Sequence, residues 1–154
     1  MTDTSKDKAA FSRSKIGGEA PMVVGMIAEN TLYSGFFGTL DSARVQIITE
    51  RILETIVASN ADYVIVDLGN VDLIDSAVAA RLFKIADAIK TVGAASVFTG
   101  ISPAIAQTMV EVGASLASLR TKRDLKAALQ LIYNWQGIEL VKKHSSCTHL
   151  PEEQ

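Results

Sequence analysis

The chain has 154 residues, with 15 Lys and Arg against 17 Asp and Glu, and a net charge of −2. That length suits one domain with its own hydrophobic core, and the near-neutral balance gives no reason to expect strong nonspecific nucleic-acid binding, which runs on a basic surface. The single cysteine, Cys147, excludes an internal disulfide framework, and no apolar run reaches the roughly 18–20 residues of a membrane span.

Met1 to Lys15 carries basic residues with no apolar stretch behind them, so it does not read as a secretory leader. A reduced, cytoplasmic, single-domain protein is expected. Residues 1–20 are rich in Ser, Thr, Lys, Asp and Gly without apolar periodicity, and read as a flexible tail. The folded segment is expected over residues 21–136, with a second polar tail over 137–154. Between the tails there are nine Lys and Arg against eleven Asp and Glu, so the folded segment has the charge balance of the whole chain.

Met22 to Ile27 and Leu32 to Phe37 are strand-like runs on either side of Glu29 and the turn-prone Asn30, which predicts an antiparallel hairpin. Asp41 and Ser42 supply a cap signal ahead of Val45, Ile48, Ile52 and Ile56 at helical spacing. Tyr63 to Leu68 is β-branched and almost wholly apolar, the pattern of a strand buried on both faces. Asp75 and Ser76 cap a second helix through Val78, Leu82, Ile85 and Ile89, ended by Gly93.

Ser96 to Thr99 is a short strand. Pro103 suits the first turn of a helix carrying Ile105, Met109 and Val112. A weak strand near Leu116 to Leu119 and a last helix through Leu125, Leu129 and Ile132 complete the order β-β-α-β-α-β-α-β-α. Such alternation predicts an α/β domain with a mixed, mainly parallel sheet covered by about four helices.

Catalytic chemistry is sparse. Both histidines, His144 and His149, fall in the C-terminal tail, which leaves the folded segment without the commonest general base. No nucleophile elbow and neither common phosphate-cradling loop is present, so no cofactor is expected. Asp67, Asp72 and Asp75 are close enough in sequence to suggest a metal or acid–base cluster, but acidic residues also punctuate the loop after a parallel strand. His144, Cys147 and His149 are too few ligands for a closed structural zinc site. Arg120, Lys122, Arg123 and Lys126 form the one basic cluster of the folded segment, read as a solvated surface.

The informative stretch is VDLGNVDLIDSAVAARL, Val66 to Leu82. Asp75 or Ser76 caps a helix there by accepting a backbone N–H, worth about 1 kcal/mol. The hydroxyl of Ser76 is also a candidate phosphorylation site. A phosphate brings about −1.5 to −2 charges, which a helix N-terminus tolerates through its free N–H groups and dipole. The new charge beside Asp75 then repels a docked partner rather than unfolding the domain.

The run DLGNVDLIDSAVA, together with TGISPAIAQTMVEVGASL from Thr99 to Leu116, resembles the STAS domain, and more narrowly the RsbR and RsbS proteins of the bacterial stressosome. The resemblance covers roughly Pro21 to Trp135. It implies a mixed, mainly parallel sheet covered by helices, and a non-enzymatic scaffold that packs with RsbR/RsbS-type paralogues into a large oligomer. That core sequesters a serine/threonine kinase of the RsbT type and releases it on phosphorylation; an RsbX-type phosphatase resets it.

By the same resemblance Ser76 matches the main phosphosite, and Ser42, in GTLDSAR, matches a second one. Asp75, Asp72 and Asp41 are expected to face the partner. The chain has RsbS-like length and a junction serine, but SAVAARL and LDSAR follow the RsbR pattern, so the paralogue stays open. Two other readings compete: a free anti-sigma-factor antagonist that binds an anti-sigma kinase directly, and an enzyme using Asp67, Asp72 and Asp75. No nucleic-acid or membrane partner is expected.

Overall fold

The computed structural model describes residues 12–16, 19–113 and 116–143, with the backbone alone described up to residue 21. Among the described residues six strands form one sheet in sequence order: β1 (Ser12–Ile16), β2 (Glu19–Ala28), β3 (Thr31–Gly38), β4 (Tyr63–Val71), β5 (Ala95–Thr99) and β6 (Thr121–Lys122). The pairs β1·β2 and β2·β3 are antiparallel, and β3·β4, β4·β5 and β5·β6 are parallel. Helices α1 (Ser42–Ser59), α2 (Ser76–Thr91) and α3 (Pro103–Glu111) fill the crossovers, and α4 (Leu125–Trp135) follows β6. The mixed, mainly parallel architecture predicted from the alternating pattern is therefore present.

The two faces of the sheet are covered unequally. Val64, Val66 and Leu68 of β4 join Leu32 and Phe36 of β3 and Phe98 of β5 in a large core that packs against α1, α2 and α3. Ile65 and Val97 point the other way and meet Ala128 and Ile132 of α4. Alternate residues of a strand face opposite sides, so an almost wholly apolar run such as YVIVDL is what two covered faces require. In the hairpin, Asn30 adopts the left-handed conformation that its short polar side chain tolerates (φ 52°). Its carbonyl accepts the N–H groups of Asp62 and Tyr63, which ties the turn to the start of β4.

The expected N-terminal tail over 1–20 is corrected where β1 and the first residues of β2 lie. Ser12 to Ser14 pair with Val24 to Met22 along the outer edge of β2. That ladder uses backbone groups, which any composition supplies, so the polar side chains carried no signal for it. A second correction concerns Leu116 to Leu119. Leu116–Ser118 is a 3-10 turn, and the strand lies beyond it at Thr121–Lys122. Leucines three apart match the period of a tight helical turn, whereas the two-residue strand pairs by backbone with Phe98 and Thr99.

Past α4, Gly137–Lys143 has no regular secondary structure, and Leu140 shares a cleft with Leu125, Leu129 and Tyr133 of α4. His144, Cys147 and His149 lie outside the described residues.

Candidate functional site

Because β3, β4 and β5 run parallel side by side, the helices that follow them start along one edge of the domain. Each start is capped. Asp41 accepts from the Arg44 N–H at 2.8 Å, Asp75 from the Val78 N–H at 2.8 Å, and Ser102 from the Ile105 N–H at 3.3 Å. The sequence left open whether Asp75 or Ser76 caps α2. Asp75 does, with extended backbone at φ −89°, and Ser76 is the first helical residue. Ser76 is solvent-exposed and its hydroxyl is not the cap, so the group proposed for modification is not needed to start the helix.

The loop into α2 is anchored at one point. Ile74 is buried against the core, while Leu73 beside it is 66% exposed and Asp72 and Asp75 face solvent. The edge around Ser76 therefore presents a leucine, two carboxylates and a hydroxyl on a fixed turn. Sequence reasoning overlooked Leu73, although a Leu–Ile pair in a loop signals that one side chain anchors and the other projects.

Ser42 occupies the equivalent position on α1, one residue after the cap Asp41, and is half-buried. Nε of Arg44 lies 3.6 Å from the Asp41 carboxylate, and its Nη1 donates to the Thr39 carbonyl at 2.9 Å. Across the helix pair, Nη1 of Arg81 on α2 donates to Oε1 of Gln46 on α1 at 3.2 Å.

Asp67 does not join Asp72 and Asp75. It points to the α4 side of the sheet, where its carboxylate accepts from the Tyr33 hydroxyl at 2.7 Å and from the Gly69 N–H at 2.8 Å. Burial, then the bond to Asp67 and its charge, hold the Tyr33 phenol well above its ordinary pKa. Among the described residues no three His, Cys, Asp or Glu side chains are grouped to hold a metal ion. The basic cluster is also divided. Arg120 lies over the Trp135 ring at 4.8 Å, and that ring stacks on Tyr63, while Arg123 pairs with Asp124 at 3.7 Å on the surface.

A sheet of this order, with capped helix starts after its parallel strands, defines a mixed α/β domain. The family model for the STAS domain matches residues 28–128, and the chain belongs to that family. It is 35% identical over 92 residues to the RsbT co-antagonist protein RsbRD of Bacillus subtilis (strain 168), covering 60% of this chain and 33% of that one. It is 32% identical over 111 residues to the RsbT co-antagonist protein RsbRA of the same organism, covering 72% and 40%. The chain thus spans between a third and two fifths of the length of these curated relatives.

Among solved structures, a serine-to-glutamate variant of Moorella thermoacetica RsbS superposes with a TM-score of 0.64 at 24% identity, covering 77% of this chain and 97% of that one. The unphosphorylated anti-sigma factor antagonist SpoIIAA gives a TM-score of 0.59 at 17% identity, with 77% and 99% covered. Both likenesses concern the fold.

Proposed function

We propose that this protein is a non-enzymatic STAS scaffold of a stressosome, which holds a serine/threonine kinase of the RsbT type and releases it when Ser76 is phosphorylated. The observation that carries the reading is the exposed hydroxyl of Ser76 at the first position of α2, capped independently by Asp75 and flanked by the projecting Leu73. The identity to two RsbT co-antagonist proteins supports the kinase class. In the transfer, the hydroxyl gives up its proton, its oxygen bonds the γ-phosphorus of ATP, and ADP leaves.

The phosphate then sits over the free N–H groups of a helix start, which stabilise it. It adds about −1.5 to −2 charges beside Asp75 and Asp72, and like-charge repulsion with desolvation loosens the docked kinase. Ser42 is the second site, with Asp41 beside it on the same edge. RsbR/RsbS-type paralogues complete the oligomer, an RsbX-type phosphatase resets it, and the setting is cytoplasmic. Mass spectrometry after incubation with the kinase and ATP tests the assignment. Phosphate on Ser76, lost in Ser76→Ala, is expected; unchanged incorporation in that variant rules Ser76 out.

The second reading is a free anti-sigma-factor antagonist, favoured by the fold likeness to SpoIIAA. Light scattering of the chain with its paralogue separates the two. A megadalton particle supports the scaffold, and a stable monomer or dimer supports the free antagonist.

A further inference from the structure

Ser42 and Ser76 open neighbouring helices, and the Arg81–Gln46 hydrogen bond joins those helices just beyond them. Gln46 follows Ser42 by four residues, so the two share a flank of α1, with Cβ atoms about 5–6 Å apart. Since Gln46 is the residue Arg81 reaches, that flank is the one turned toward α2. The partner of Arg81 there is a neutral amide, whose nitrogen donates in turn to Glu50 at 3.0 Å. Arg81 is in contact with that amide, and among the described residues no carboxylate lies within salt-bridge reach of its guanidinium. Arg81 is half-buried, where charge interactions are screened less than on the open surface.

The other cation near Ser42 is placed differently. Arg44 lies two residues on, about 200° around the helix, and is already tied to Asp41 and the Thr39 carbonyl. Ser76 also differs, since it precedes Arg81 by five residues, about 140° around α2, and shares no flank with it.

We propose that Arg81 is the built-in receptor for a phosphate on Ser42. The guanidinium leaves the Gln46 amide for phosphate oxygens one helical turn away, where it makes a forked, charge-assisted pair. The start of α1 is then clamped to α2. This rests on the reading of Ser42 as a phosphosite, and it gives the two sites different outputs. A phosphate on Ser42 is taken up within the domain, whereas one on Ser76 stays on the partner-facing edge.

The test installs phosphoserine at position 42 of the full chain by genetic code expansion and follows the phosphate by 31P NMR against pH. The Asp41 carboxylate, Arg44 and the helix N–H groups face the phosphate in every background, so the readout is the difference made by Arg81. With Arg81 present, the second proton is expected to leave about one pH unit lower than in Arg81→Gln. Arg81→Lys keeps the charge without the fork and recovers part of the shift. Gln46→Ala releases Arg81 and keeps all of it; if Arg81→Gln fails to fold, Arg81→Lys decides the matter, because a titration there identical to wild type overturns the proposal. With phosphoserine at position 76 instead, Arg81→Gln leaves the titration unmoved. Identical titrations at position 42 with and without Arg81 overturn the proposal, whether or not a kinase modifies Ser42. A kinase that ignores Ser42 overturns the phosphosite reading instead, and mass spectrometry shows which has failed.

Discussion

The Tyr33 hydroxyl on β3 donates a 2.7 Å hydrogen bond to the Asp67 carboxylate on β4, and its ring reaches there by lying over Gly35. Gly35 is the residue paired with Asp67 in the parallel ladder, and a Cβ on it would come within 2.8 Å of the Tyr33 oxygen. Three residues on two strands thus depend on one another.

Gly35→Ala is expected to displace the Tyr33 ring and break its bond to Asp67. Overpacking of this kind costs about 1–3 kcal/mol. Tyr33→Phe removes the same bond without the clash and is expected to cost about 1.5–3 kcal/mol, the range for a hydrogen bond to a charged group. Urea unfolding measures both. If Gly35→Ala remains destabilising in the Tyr33→Phe background by its full amount, the coupling is absent.

The raised pKa of Tyr33 sets the sign of a pH effect. Its folded-state value lies above the unfolded value of 10.0, so the native state holds the proton more tightly. The contribution is fully present below pH 10 and is lost as pH rises beyond it. Wild type is expected to lose more stability than Tyr33→Phe between pH 9 and pH 11. Equal losses in paired urea titrations contradict this.

Asp75 and Ser76 are expected to separate cleanly. Asp75→Ala removes the cap and costs about 1 kcal/mol, within a range of 0.5–2. Ser76→Ala is expected within about 0.5 kcal/mol of wild type, as an exposed residue outside the cap, while abolishing most phosphate incorporation. Ser76→Asp is expected to keep the fold and weaken kinase retention. A large stability loss in Ser76→Ala would make Ser76 structural, and thermal unfolding reads it directly.

Leu73 provides a test of the docking edge that involves no phosphate. Its side chain is 66% exposed, so Leu73→Ser is expected to leave stability nearly unchanged. If the leucine anchors a partner, the same change weakens kinase binding about 10-fold, the loss of roughly 1.4 kcal/mol. Calorimetric titration with the kinase reports it; unaltered affinity places the interface elsewhere.

Much of the architecture was legible because the core-facing positions are periodic. Val45, Ile48, Ile52 and Ile56 marked α1, and YVIVDL marked a strand covered on both sides. The strands β1 and β6 escaped because polar backbone pairs leave no side-chain pattern, as at Ser12–Ser14 and Thr121–Lys122. The site was half legible. A cap signal at DS identifies where a helix begins, but Asp and Ser are both good caps, and only geometry assigns the role to Asp75. Contacts between elements far apart in sequence were beyond reach. Gln46 and Arg81 look like ordinary surface residues, and Asp67 looked like a neighbour of Asp72 until the strand pleat turned it to the opposite face.

Gly100 shows how the same pleat constrains the loop edge. Its φ is +69°, and a Cβ there would meet the Gly69 nitrogen at 2.5 Å and its Cα at 2.6 Å. Gly100→Ala therefore combines left-handed strain with a backbone clash that no side-chain rotation relieves, and about 3 kcal/mol or more is expected. A small loss in urea unfolding contradicts the close approach.

The sheet's strand order, running from first to sixth without a skip, has a kinetic consequence. Every strand pairs with the one made just before it, so no partner has to wait for a distant segment. Loop-closure entropy is met in steps of one turn or one crossover, which keeps contact order low for a sheet with three parallel pairs. A chain emerging from the ribosome can add each β–α unit to an already formed edge. Assembly then proceeds in the direction of synthesis, and α4 closes the second face after the strands it covers.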